Sequence, residues 1–192
     1  MFRSLHMKLT LILLLLITSL MAVIGAFLTV SVSSFYINSF YQQMSGVFGG
    51  ENSSFVADLR DAAGDEADPA GRIAEILEAK AGSLGVDYRT RNYFVLNGAT
   101  GGYINSSADE GALPREQSAN LLAARNAVAR GDETAVGDES DITADFMDVA
   151  VPIMNGGNAY IVYILDNKDT VSGLNAQLFL IIMQALVIVL LI

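Results

Sequence analysis

Residues Tyr93–Ser107 read YFVLNGATGGYINSS, and this stretch decides what kind of domain the chain builds. Tyr93–Leu96 is a short aromatic and aliphatic run, apolar on both faces. Bounded by turn residues, such a run predicts a strand covered on both sides of its sheet. Asn97–Gly102 holds three glycines in six residues and predicts a turn. Tyr103–Ser106 returns as a second strand. A strand pair in mid-chain, set between helical patterns, points to a mixed α+β domain.

Downstream, Pro114 is expected to open a helix running to about Arg130, with Leu121, Leu122 and Val128 as its stripe and Gly131 as its stop. An acidic loop follows, with Asp132, Glu133, Asp138, Glu139 and Asp141. Met147, Val149, Val151 and Ile153 alternate with Asp148 and Ala150, the pattern of a half-buried strand, and Pro152 marks it as an edge strand or its end. Asn155–Gly157 is a tight hairpin signal, and Tyr160–Leu165 is a fully apolar strand. Upstream, Asp68 followed by Pro69 predicts a helix start, with Ile73, Ile76, Leu77 and Leu84 as the apolar stripe and Gly82 and Gly85 at its end. Phe55, Val56 and Leu59 predict a shorter helix before it, set off by Gly49-Gly50. No internal repeat is present.

The two ends of the 192-residue chain have a different character. Leu9–Val32 is a run of 24 uncharged residues, long enough to cross a bilayer with some tilt. A cleaved signal peptide has an apolar core of only about 7–15 residues with its cleavage site after it. Here Ala22 and Ala26 lie inside the run, so an uncleaved anchor is expected. Leu178–Ile192 is apolar except for Gln184 and reads as a second transmembrane helix whose remainder would follow Ile192. Arg3 and Lys8 precede the first run with no acid before it, which places that end in the cytoplasm. The expected organisation is a cytoplasmic N-terminus (1–8), a transmembrane helix (9–32), an extracytoplasmic domain (33–176) and the start of a second transmembrane helix (177–192). Val32, Phe35, Tyr36, Phe40, Met44 and Val47 recur at helical spacing, so the first helix should continue to about Phe48. This stripe predicts a parallel homodimer along the extended helix. At the other end, Asp166 is expected to cap a helix with Asp169 in its first turn and Val171, Leu174 and Leu178 on one side.

Charge and residue counts narrow the chemistry. The segment between the apolar runs holds nine basic and all 21 acidic residues, a net of −12, which argues against nucleic acid as a partner. There is no cysteine, hence no disulfide, thiolate nucleophile or Cys-type metal site. The one histidine, His6, lies on the cytoplasmic side, where it cannot serve a catalytic triad in the outer domain. Gly98–Gly102 has no following Lys-Ser/Thr and sits between strands, so it is a hairpin and not a phosphate cradle. The acidic loop lacks the alternating ligands and central glycine of a calcium loop. No catalytic or metal-ligating set is therefore expected in this chain. Arg89, Arg91, Tyr93, Tyr103 and Asn105 flank the two turn-linked strands and are the ligand-binding candidates, for an anionic or polar ligand. The same groups equally suit strand-end surface and core packing.

The order of these elements resembles the N-terminal half of bacterial two-component sensor histidine kinases with an extracytoplasmic PAS-like (single Cache) domain, those of the WalK/PhoR type in particular. The resemblance rests on the strand, glycine turn, strand and Ser-Ser order at Tyr93–Ser107, and on the Val-Ala-Val-Pro-Ile, Gly-Gly, strand order at Val149–Leu165. It implies a PAS-like antiparallel sheet with flanking helices between two membrane helices, in a multi-pass protein of the bacterial cell membrane. It also implies an unidentified extracytoplasmic ligand or protein as stimulus. Kinase activity, with its ATP and Mg²⁺ and a cognate response regulator as partner, would belong to a region after Ile192, because His6 is in no phosphorylation-box context. A chemoreceptor or a cyclic-dinucleotide enzyme would share such an input half. A membrane-anchored binding or scaffold protein complete at 192 residues, and an extracytoplasmic hydrolase, are the readings from other classes.

Overall fold

A computed structural model of the chain describes residues 5–49, 54–113, 118–132, 136 and 145–191. Arg3, Gly50, Pro114, Glu133, Asp138, Glu139 and Asp141, which figure in the expectations above, lie outside the described residues. The chain divides into two units: Ile37–Lys168, and the paired ends up to Tyr36 and from Asp169.

The Ile37–Lys168 unit is an α+β domain on one four-stranded antiparallel sheet. Its strands are β1 (Arg91–Asn97), β2 (Tyr103–Ser106), β3 (Met147–Asn155) and β4 (Asn158–Asp166), in the order β2-β1-β4-β3. The quoted stretch forms the β1–β2 pair, with Phe94 opposite Ser106 and an irregularity between Val95 and Leu96. Val162 of β4 sits between Val95 and Val151, so β1 and β4 are the inner strands and both are buried on both faces. Asn155 and Asn158 close the β3–β4 hairpin around Gly156 and Gly157, at φ 59° and 93°, left-handed values that a two-residue hairpin loop of this hand requires. Pro152 lies on the edge strand β3, where the missing N–H leaves no inner ladder unpaired.

One expectation for β3 is corrected. Asp148 and Ala150, read as its solvent face, are 5% and 0% exposed. The reason is a second helical layer. Helix α5 (Ala119–Arg130) packs on the face that carries Phe94, Leu96, Ala150, Ile161 and Tyr163, using Leu121 and Ala124. Helices α2 (Ser54–Ala63) and α3 (Pro69–Ala79) contact the sheet as well, α3 through the Tyr93 side of β1. Asn155 Nδ2 donates to Arg60 O (2.8 Å) and Asn158 Nδ2 to Ala63 O (3.0 Å), which fastens the end of α2 to the last hairpin.

Capping explains where the helices begin and end. Asp68 accepts the Gly71 N–H (2.9 Å) with Pro69 in the first turn of α3, as its sequence predicts. The stripe does not run unbroken to Leu84. Helix α3 stops at Ala79 and a four-residue turn, α4 (Ala81–Leu84), follows, so Gly82 lies inside α4 and Gly85 (φ 67°) ends it. Ser118 has extended backbone and its hydroxyl accepts the Leu121 N–H, which caps α5 at its start, Ala119. Leu122 is 45% exposed and leaves the stripe to Leu121, Ala124 and Ala127. Gly131 (φ 69°) ends the helix as expected.

Helix α1 runs from Leu5 to Phe48 without a break, covering the first apolar run and its extension. Within the domain its Phe40 and Met44 are each 1% exposed, with the Arg91 guanidinium 4.8 Å from the Phe40 ring centroid. Phe48 meets Phe55 of α2 at 5.5 Å between centroids. Part of the stripe read as free for a partner helix therefore covers the chain's own domain. Helix α6 spans Asp169–Leu191. Asp166 Oδ1 accepts the N–H of Lys168, the residue before the helix, whose φ is 56°.

In the other unit, the outer parts of α1 and α6 carry exposed Leu, Ile, Val and Phe side chains along most of their length. By length and composition both are able to cross a membrane. Asn175 Nδ2 of α6 donates to Ser33 Oγ of α1 (3.1 Å). Gly25 is buried at a close approach, where an added Cβ would stand 2.8 Å from Ile182 Cδ1.

Candidate functional site

The most connected polar group of the domain is Arg91, the first residue of β1, paired in register with Asp166, the last residue of β4. Its Nε donates to Asp166 Oδ2 at 3.0 Å, with side chains 9% and 0% exposed. Its Nη1 donates to Gln43 Oε1 of α1 (2.7 Å) and to Leu84 O of α4 (3.1 Å). Gln43 Nε2 in turn donates to Ser83 O (2.8 Å). A buried ion pair is tolerated only when its remaining donors and acceptors are satisfied, and here Gln43, Leu84 and Lys168 N–H supply partners. Gly85 makes room for this: its φ is left-handed, and a Cβ there would stand 2.5 Å from Arg91 Nη1. One guanidinium thus joins α1, α4, β1 and the strand end that leads within three residues to α6.

The turn before β1 is built by Asp87. Its Oδ1 accepts the N–H groups of Arg89 (3.0 Å), Thr90 (2.7 Å) and Arg91 (2.8 Å), and its Oδ2 the Thr90 hydroxyl (2.6 Å). Partial burial opposes the carboxylate, but these hydrogen bonds outweigh it and hold the Asp87 carboxyl well below its ordinary value. Tyr88 is thereby set at φ 59°, a left-handed value unusual for an aromatic residue. Glu78 of α3 accepts two phenols, Tyr88 at 2.7 Å and Tyr93 at 3.1 Å. Burial, then the bond to Glu78 and its charge, push Tyr93 up to about 12.

On the α5 face, Tyr163 donates to Asp148 Oδ2 (2.8 Å), and Asn120 Nδ2 donates to both Asp148 O and Oδ1 (2.9 Å each). Burial, with the Asp148 charge second, raises the Tyr163 phenol far above its ordinary value. This is a satisfied core network that orients β3, β4 and α5.

Of the five ligand-binding candidates, Arg91 and Tyr93 are committed inside the fold. Asn105 Oδ1 accepts the Ser106 N–H, and Tyr103, 37% exposed on the edge strand, faces Ser106 Oγ at 3.3 Å. Arg89 lines a concave surface, a shallow cleft open to solvent. It shares that surface with Tyr88, Asn92, Ser107 and Asp109. Sequence reading missed Gln43, Glu78, Asn92, Asp109 and Asp166 as members of these sites. Only Asp166 had a local signal, a carboxylate ending an apolar strand, which was read as a helix cap. Among the described residues no group of three or more His, Asp or Glu is placed to hold a metal ion. Comparisons of the chain with protein-family models, with curated proteins and with solved structures found no match.

Proposed function

We propose that this chain is the sensing and signal-input region of a bacterial two-component sensor histidine kinase. In this reading α1 and α6 cross the cell membrane, residues 33–176 lie outside it, and two copies work as a parallel homodimer. Phosphoryl transfer, with its ATP, Mg²⁺ and response regulator, belongs to a cytoplasmic region following α6. The observation that carries the reading is the Arg91 ion pair. A distant site responds to a stimulus only through an element that both bias. Arg91 ties Gln43 on α1 to Asp166, three residues ahead of α6, so a change in the sheet domain reaches the roots of both apolar helices through one buried group. The element order at Tyr93–Ser107 and Val149–Leu165 resembles the input half of that kinase family, an input half that a chemoreceptor or a cyclic-dinucleotide enzyme would share.

Two measurements test this. In intact cells, a cysteine at exposed Ala99 should react with a membrane-impermeant thiol reagent and one at Ser4 should not; the opposite pattern refutes the topology. Residues 1–192 fused to the cytoplasmic half of a characterised sensor kinase should give a phosphorylating chimera. In it, Gln43→Ala, which cuts the tie to α1 and spares the ion pair, should change basal phosphorylation. An inserted, active chimera indifferent to Gln43→Ala would overturn the coupling and with it the proposed role.

A further inference from the structure

The open cleft beside β1 holds two opposite charges that do not meet. Arg89 and Asp109 both line it, and neither charged group has a side-chain partner among the described residues. Asn92, only 8% exposed, also lines it, and its orientation is set by a relay. The Tyr93 N–H donates to Ser107 Oγ (3.0 Å), so the Ser107 hydroxyl proton goes to Asn92 Oδ1 (3.0 Å). The Asn92 Nδ2 hydrogens are then left without a partner among the described residues. Asn92 Nδ2 is not one of the buried unpartnered atoms, so this donor reaches the solvent of the cleft and is open to a ligand. The rim is also held rigid: Tyr88 keeps its left-handed backbone because Asp87 pins the turn and Glu78 holds the phenol. Backbone strain kept by surrounding bonds is a feature of ligand clamps.

We propose that this cleft binds a small zwitterion, a molecule carrying one carboxylate and one ammonium group. Arg89 takes the carboxylate through its planar donor fork, Asn92 Nδ2 adds a hydrogen bond to the same group, and Asp109 takes the ammonium. The inference names the stimulus class for the sensor reading and rests on it only for the consequence of binding, not for binding itself.

Calorimetry on the full chain in detergent micelles tests the site, with glycine, β-alanine and γ-aminobutyrate as probes because they hold the two charges progressively further apart. At least one should bind, while acetate and methylammonium, each carrying half the charge pair, should not. Arg89→Gln and Asp109→Asn should each weaken binding by about tenfold or more. Arg72→Gln, which removes an exposed guanidinium paired with Glu75 and absent from the cleft lining, should leave it unchanged. No binding by any of the three zwitterions, equal binding of acetate, or undiminished affinity in Arg89→Gln would overturn the proposal. A zwitterion that binds through Arg89 and Asp109 yet leaves the kinase chimera silent would keep the site and refute the sensor role.

Discussion

At the scale of single residues, two ionisable groups beside β1 give the domain opposite sensitivities to pH. Asp87 has a folded-state value well below its ordinary 3.8, so its contribution is present above that value and is lost as the pH falls below it. Tyr93 is raised from 10 to about 12, so its contribution is intact below pH 10 and disappears as the pH climbs through about 12. Thermal unfolding of the chain in micelles should show both limbs. Tyr93→Phe should flatten the alkaline limb alone, and Asp87→Asn should weaken the acid limb alone. A pH profile unchanged by Tyr93→Phe would mean that its phenol is not held neutral by burial and Glu78. The Tyr93 contribution was not visible in the sequence, because Glu78 lies on α3 and reaches β1 only through tertiary packing.

Among the elements, α6 bears most directly on transmission. Gly173 sits in its second turn with nothing within 4 Å of an added Cβ, so a substitution there acts on the backbone and not through a clash. Gly173→Pro removes a helical hydrogen bond at a cost of about 3 kcal/mol or more. It should uncouple the domain from the chimera's output, whereas Gly173→Ala, a gain of about 1 kcal/mol, should not. Normal signalling through the proline variant, with the domain still folded, would rule out a continuous helical relay. The elements themselves were largely legible: the turn at Asn97–Gly102, the Asp68-Pro69 start, the Asn155–Gly157 hairpin and the length of α1 all follow from local chemistry. What failed was the exposure of β3. Alternation of Asp148 and Ala150 with valines looks like a wet face, and only α5, distant in sequence and carrying Asn120, turns that face into core. The partners of the site candidates were hidden for the same reason. Sequence proximity gathered Arg89, Arg91, Tyr93, Tyr103 and Asn105, yet Arg91 and Tyr93 point their polar ends at partners from four different elements.

For the whole molecule, the covered stripe on α1 changes which surface a second copy can meet. Phe40 and Met44 are buried in the chain's own domain, while Gln42 is exposed. In the proposed homodimer, a cysteine at Gln42 should therefore cross-link between copies in membranes more readily than one at Phe40. The reverse order would require the domain to release Phe40 on pairing. The fastening of α2 to the last hairpin carries a different consequence, one of timing. Arg60 and Ala63 wait for amides 95 residues further along, and Arg91 waits for a carboxylate 75 residues away. The entropic cost of closing such loops grows slowly, about 0.6 kcal/mol per doubling of length, but non-local closure slows folding. A chain emerging N-terminus first can form its early helices but cannot fasten the end of α2 until Asn158 has been made, nor complete the Arg91 ion pair until Asp166 has been delivered. The strand that completes the domain is also the last one made before the second apolar helix, so folding of the sheet and arrival of that helix are nearly one event.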